Sequence, residues 1–215
     1  MVRKTQINII EHQQPLRLLR FFSIFSLVAF SIIAVVLGLF YRQIAVTELI
    51  ELGEAKNVAL TQTFSNSLWA EFAPFLTSLS ELSGDEIRAH PETEKLHQAV
   101  VEQTRGLTVL KVKIYDLEGK TIFSSEESQI GDDKSENDGF LSALEGEVLS
   151  DLSHRDTFDA FEGEMSERDV IFSYVPIIRG PDSQIEGVFE VYDDVTPLLK
   201  RIDMFCLKWK WNYRH

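Results

Sequence analysis

Residues 110–125 read LKVKIYDLEGKTIFSS. Leu110, Val112 and Ile114 alternate with Lys111, Lys113 and Tyr115, the period of two expected of a β-strand with one buried face. Asp116-Leu117-Glu118-Gly119 has the composition of a turn, and Thr121 to Ser125 forms a short returning strand, so the segment predicts a β-hairpin. On its C-terminal side come a loop with Gly131, Asp132 and Asp133, a short helix over Gly139 to Leu144, and a strand over Glu147 to Leu152. Two longer strands, Val170 to Ile178 and Ile185 to Tyr192, flank Gly180-Pro181-Asp182-Ser183, a turn-rich connection that predicts antiparallel neighbours. Thr196-Pro197 is expected to cap a final helix.

On the N-terminal side the period changes. Phe64, Leu68, Phe72, Leu76, Leu79 and Leu82 recur at helical spacing and predict a long amphipathic helix. Pro74 lacks an N–H and crowds the carbonyl of Ala70, which predicts a kink, and Gly84 is read as the stop. A second helix is predicted from Pro91 to about Gln103, with Leu96 and Val100 inward and Gly106 beyond its end.

Further upstream, residues 21–41 read FFSIFSLVAFSIIAVVLGLFY without a charge. As a helix this run spans roughly 31 Å, against a hydrocarbon core of about 30 Å. Aromatic residues stand at both ends, with Arg20 and Arg42 just outside. The run is longer than a signal-peptide core and lacks a small-x-small cleavage site. Arg3, Lys4, Arg17 and Arg20 precede it, which places the N-terminus in the cytoplasm and the main domain outside, periplasmic where the cell has two membranes. The expectation is a single-pass protein of the cytoplasmic (inner) membrane, with the lipid bilayer as partner through residues 21–41.

The elements sum to an α+β chain: a transmembrane helix continuing into a membrane-proximal helix, then an antiparallel sheet of about five strands with helices on one side. The expected divisions are a cytoplasmic segment 1–20, the span 21–41, a membrane-proximal helical region 42–104, a sensor-sized domain 105–202 and a basic, aromatic tail 203–215.

Charge excludes more than it identifies. The net charge is −13, although residues 1–41 are basic, so the outer part is strongly acidic and repels nucleic acid. The single cysteine, Cys206, permits no intramolecular disulfide. Histidines 12, 90, 97, 154 and 215 form no i, i+4 pair along a helix, and the acidic run of Asp132, Asp133, Glu136 and Asp138 departs from calcium-loop spacing, so no metal and no cofactor is assigned. No Gly-x-Ser-x-Gly elbow occurs, and the chain is not expected to be an enzyme.

The stretches KVKIYDLEGKTIFSSEESQIGDDKS (111–135), GFLSALEGEVLS (139–150), FSYVPI (172–177) and IEGVFEVYDDVTPLL (185–199) together resemble the PAS-like (Cache, or PDC) extracytoplasmic sensor domains of bacterial histidine kinases and diguanylate cyclases. The resemblance implies a five-stranded sheet with a small-molecule pocket on one face, a helix linking it to the membrane, and a homodimer. For the pocket, Tyr115, His154, Arg155, Phe158, Phe172 and Tyr174 supply aromatic walls and polar groups, Arg155 being suited to a carboxylate. Phe64, Leu68 and Phe72 are the candidate dimer face of the long helix. The rival expectation is a bitopic envelope protein whose outer domain only binds other proteins. Such receptors re-enter the membrane and carry an output domain, and the tail from Asp203 to His215 has neither; the expectation is a truncated receptor or one frame-shifted near residue 203, with an isolated regulatory subunit as the lesser alternative.

Overall fold

The computed structural model describes residues 14–161, 163–179 and 184–211. The expected turn at residues 180–183, His12 and the last four residues of the tail lie outside them.

The first helix, α1 (Gln14–Phe64), is unbroken for 51 residues. It is the one helix among the described residues long and apolar enough to cross a membrane, and its apolar stretch is not buried against the protein at all. Phe21, Phe25 and Phe30 are each more than two-thirds exposed, as a lipid-facing surface requires. Its second half becomes amphipathic and docks on the sheet. A wide π-turn over Ser65–Trp69 follows, then α2 (Ala70–Ser78), which contains Pro74. The irregularity is therefore centred earlier than the proline. The wide turn ends one residue before Ala70, whose carbonyl is the one Pro74 crowds, so the helical path changes where it relieves that clash.

Gly84 starts a helix instead of ending one. Ser83 and Glu86 form a reciprocal capping box at the head of α3 (Gly84–Ala89), with Glu86 accepting from the Ser83 amide at 2.8 Å. Helix α4 (Pro91–Thr104) starts at its proline as expected and buries Leu96 and Val100.

Five strands follow: β1 (Val109–Tyr115), β2 (Thr121–Ser124), β3 (Leu149–Ala160), β4 (Gly163–Arg179) and β5 (Gln184–Asp194), with α5 (Asp138–Leu144) between β2 and β3. They form one antiparallel sheet in the order β2-β1-β5-β4-β3, so β5 is central. The last helix is α6 (Thr196–Trp211). Its cap differs from the expectation: the Asp194 carboxylate accepts from the Thr196 amide at 2.9 Å, freeing the Thr196 hydroxyl to accept from the Asp169 amide at 2.8 Å.

One sheet face, with Val112, Ile114, Ile177, Phe189 and Val191, packs under Phe64, Leu68, Trp69, Phe72, Leu76, Leu96 and Val100. Nearer the membrane, Leu49 of α1 and Leu199 of α6 close on Ile171 and Val195. The approach of α1 to β4 is close enough that a Cβ on Gly53 would lie 2.6 Å from the Ile171 side chain. This corrects the expected dimer face. Phe64, Leu68 and Phe72 are each at most 5% exposed within the chain's own core, so they are not available to a second copy.

Strands β3 and β4 run far beyond the expected segments and form a long hairpin at the sheet edge. At Glu167 the backbone turns into the left-handed region, φ 53°, and the pairing skips the Asp156 and Glu167 positions before resuming. The amide of Phe161, past the end of β3, donates to the carbonyl of Leu110 on β1 at 3.0 Å. Since β5 and β4 separate β1 from β3, the hairpin tip must fold back across the sheet to make this bond.

Candidate functional site

The sheet face opposite α1 is polar and buried. In the ladder, Lys113 stands opposite Glu190 and Lys111 opposite Tyr192 between β1 and β5, while Phe172 faces Tyr192 and Tyr174 faces Glu190 between β5 and β4. Alternation therefore points all of these side chains to one side. The folded-back hairpin covers one part of it with Phe158, and α5 covers another with Phe140 and Ala143. Helix α5 fits there because residue 139 is glycine: a Cβ would lie 2.2 Å from the Tyr174 ring.

Glu190 is the centre of this face and only 2% exposed. It accepts a short hydrogen bond from the Tyr115 hydroxyl and another from the Tyr192 hydroxyl at 2.7 Å, with the Lys113 ammonium 3.8 Å away. Burial first, and then the Glu190 charge, push the Tyr115, Tyr174 and Tyr192 phenols far above the ordinary tyrosine value. They therefore stay protonated and available as donors. Burial also pulls both lysines below the usual lysine range; for Lys111 the neighbouring Lys113 adds to this, and for Lys113 the Glu190 carboxylate opposes it. Among the described residues no carboxylate lies within ion-pair distance of the Lys111 ammonium, which sits over the Phe158 ring at 4.6 Å.

Aromatic rings complete the surface. Tyr115 stacks on Tyr174 at 6.2 Å between centroids, Phe172 meets Tyr174 edge-on at 6.2 Å, and Phe158 lies 5.3 Å from Tyr192. Four of the six sequence-expected residues, Tyr115, Phe158, Phe172 and Tyr174, thus come together here. Arg155 lies on the same side of β3, exposed at the rim, and its charge is felt at Lys113, Tyr174 and Tyr192. His154 is directed to the opposite side, where its ring bonds Asp169 at 2.8 Å.

Lys111, Lys113, Glu190, Tyr192 and Phe140 were not legible as site residues. The alternation of β1 marks Lys111 and Lys113 as one face, and the lysines suggest solvent; the hairpin and α5 bury that face instead. A separate concavity of about 230 Å³ lies between α2 and the β1–β2 turn, lined by Trp69, Leu76, Asp116, Leu117, Glu118 and Glu186 among others. None of the sequence-expected residues lines it, and the buried opposed charges are on the other face.

No protein-family model matches the chain, and no curated protein matches it. Among solved structures it is similar to the sensor domain of the Vibrio cholerae histidine kinase DctB, at 15% identity and TM-score 0.40 over 72% of this chain. It is also similar to the sensor domain of Escherichia coli DcuS, at 16% identity and TM-score 0.36 over 66% of this chain. A third is the sensory domain of the Campylobacter jejuni chemoreceptor Tlp3 with isoleucine bound, at 14% identity and TM-score 0.34 over 76% of this chain. The chain spans 60% of the DctB structure, 98% of the DcuS structure and 66% of the Tlp3 structure.

Proposed function

We infer that the chain is a membrane-anchored sensor region, its N-terminus in the cytoplasm and its sheet domain outside, that binds a small carboxylate on the Lys111–Lys113 face. The observation that supports this reading is the pair of desolvated lysines, 4% and 6% exposed, of which Lys111 has no described carboxylate partner. Burying the Lys111 cation costs free energy that the Glu126, Asp159 and Glu190 charges around it offset only in part, which leaves room for a further negative charge. An incoming carboxylate supplies that charge, with Arg155 at the rim and aromatic rings as walls.

Two contacts link the face to the helices that lead away from it. Three residues along β5 from Glu190, Asp193 receives the Lys56 ammonium of α1 at 2.7 Å; one residue further, Asp194 caps α6. A ligand that prefers one placement of β5 shifts the population of α1 and α6 arrangements, by no more than its differential affinity for them.

The test is a thermal-shift screen of the full chain in detergent micelles against small carboxylates, amino acids, sugars and polyamines. A bound carboxylate at a hundredfold excess over its dissociation constant stabilises the fold by about 2.7 kcal/mol. Lys111→Met should abolish that shift while leaving a folded protein, since no described carboxylate is left without its ion-pair partner by the change. No carboxylate shift, or one that survives Lys111→Met, would refute the reading.

A further inference from the structure

On the other side of the bent hairpin, one cross-strand pair and the two unpaired positions beyond it bring four metal-ligating side chains to one patch. His154 pairs with Asp169 in the ladder, and Asp156 and Glu167 occupy the next same-side positions on β3 and β4. The sequence pattern is His154-Arg155-Asp156 on one strand and Glu167-Arg168-Asp169 on its neighbour. We propose that His154, Asp156 and Glu167 form a binding site for a divalent transition-metal ion of the zinc type, with Asp169 orienting the histidine.

The geometry carries this in two steps. The Nδ1 side of His154 bonds the Asp169 carboxylate at 2.8 Å, which fixes Nδ1 as the protonated nitrogen in the neutral ring and leaves the Nε2 lone pair free. That lone pair faces the other two groups: Nε2 lies 3.6 Å from Asp156 Oδ1 and 3.5 Å from Glu167 Oε2. Two ligand atoms held 2.0–2.1 Å from a tetrahedral zinc stand roughly 3.4 Å apart, so both separations already match a shared ion. The three ligand atoms all lie within 4.8 Å of one another. One histidine nitrogen and two carboxylate oxygens leave a fourth position for water, and the exposed patch admits the ion directly from solvent.

The location gives the site a consequence. Asp156 and Glu167 occupy the break in the ladder where the hairpin turns over the Lys111 face. An ion shared by β3 and β4 ties the two strands at that bend. Asp169 also meets the head of α6, since its carbonyl accepts from the Val195 amide at 2.9 Å and its amide donates to Thr196. Metal occupancy would thereby stiffen the hairpin and the base of α6 together. The site stands independently of the carboxylate reading, and either can fail alone.

The experiment is calorimetric titration of zinc chloride into the chelator-stripped full chain in detergent micelles, with cobalt(II) absorption reporting tetrahedral nitrogen and oxygen ligation. One equivalent of zinc per chain is expected, with affinity lowered at least about tenfold in His154→Ala or Glu167→Gln, and about 10–100-fold in Asp169→Asn. His97→Ala should bind as the native chain does. Glu167 is exposed, so Glu167→Gln remains informative if His154→Ala fails to fold. Absence of a stoichiometric zinc site in the native chain, or a site that survives both His154→Ala and Glu167→Gln, would overturn the proposal.

Discussion

Replacing Phe64 with alanine separates the two roles that the amphipathic stripe of α1 can have. The ring is fully buried, 5.9 Å from the Phe189 ring, and shares a cluster with Leu68, Phe72 and Val191. Removing it forfeits the transfer free energy of the ring and leaves a cavity that the sheet and α4 cannot close, a loss of about 3–5 kcal/mol. At about 2–4 °C per kcal/mol for a domain of this size, the unfolding midpoint falls by roughly 6–20 °C. The assay is thermal unfolding of the full chain in detergent followed by circular dichroism, paired with sedimentation velocity. Leu52 is the control: it is 67% exposed on the same helix, and Leu52→Ala should change stability by less than about 0.5 kcal/mol. A midpoint shifted by less than about 2 °C in Phe64→Ala, with a fall in sedimentation coefficient, would return Phe64 to a subunit interface and refute the packing argument.

Tyr115→Phe removes a hydroxyl that donates to the buried Glu190 carboxylate, so urea unfolding should show a loss of about 1.5–3 kcal/mol, and a loss below about 0.5 would mean the bond contributes little. Hydrogen bonding to Asp169, reinforced by that carboxylate and by Glu167 and Asp156, raises the His154 pKa above the ordinary histidine value, so its ring should titrate later than a free histidine in a proton NMR experiment. Because the folded value is the higher one, the stabilisation is fully present below the unfolded pKa and is lost as pH rises through the folded pKa. Asp169→Asn should bring the titration back toward the ordinary range; an unchanged curve would contradict the assignment of cause.

The sheet and its helical cover were legible because their residues obey simple periods. Leu110 to Tyr115 alternates, Leu96 and Val100 recur as on a helix, and Pro91 marks a start that physical chemistry allows almost nowhere else in a helix. The outer half of the β3–β4 hairpin was not legible. Residues 153–169 are rich in charge with few apolar side chains, because that arm has little core to face, and its pairing comes from the backbone ladder. The same omission hid the site. Without the hairpin folded back, Lys111 and Lys113 look like a solvated face, and Asp156 and Glu167 look like two unrelated surface acids. His154 finds Glu167 and Asp169 across the strands, where no spacing along a helix reveals them. Gly84 suggests a stop only in isolation, because Ser83 and Glu86 around it carry the signature of a helix start.

The continuity of α1 has a mechanical consequence. No turn interrupts the helix between its seat on the sheet, where Asn57 bonds Ser173 at 2.9 Å, and the apolar run that begins at Phe21. The seat continues to Arg42, which bonds Asp203 of α6 at 2.8 Å; at 1.5 Å per residue the arm from there to Phe21 is about 31 Å long, so a tilt of about two degrees swings its far end by roughly 1 Å. Displacements at the sheet too small to break any contact there are thus amplified to the scale of a side-chain repacking at the opposite side of the bilayer.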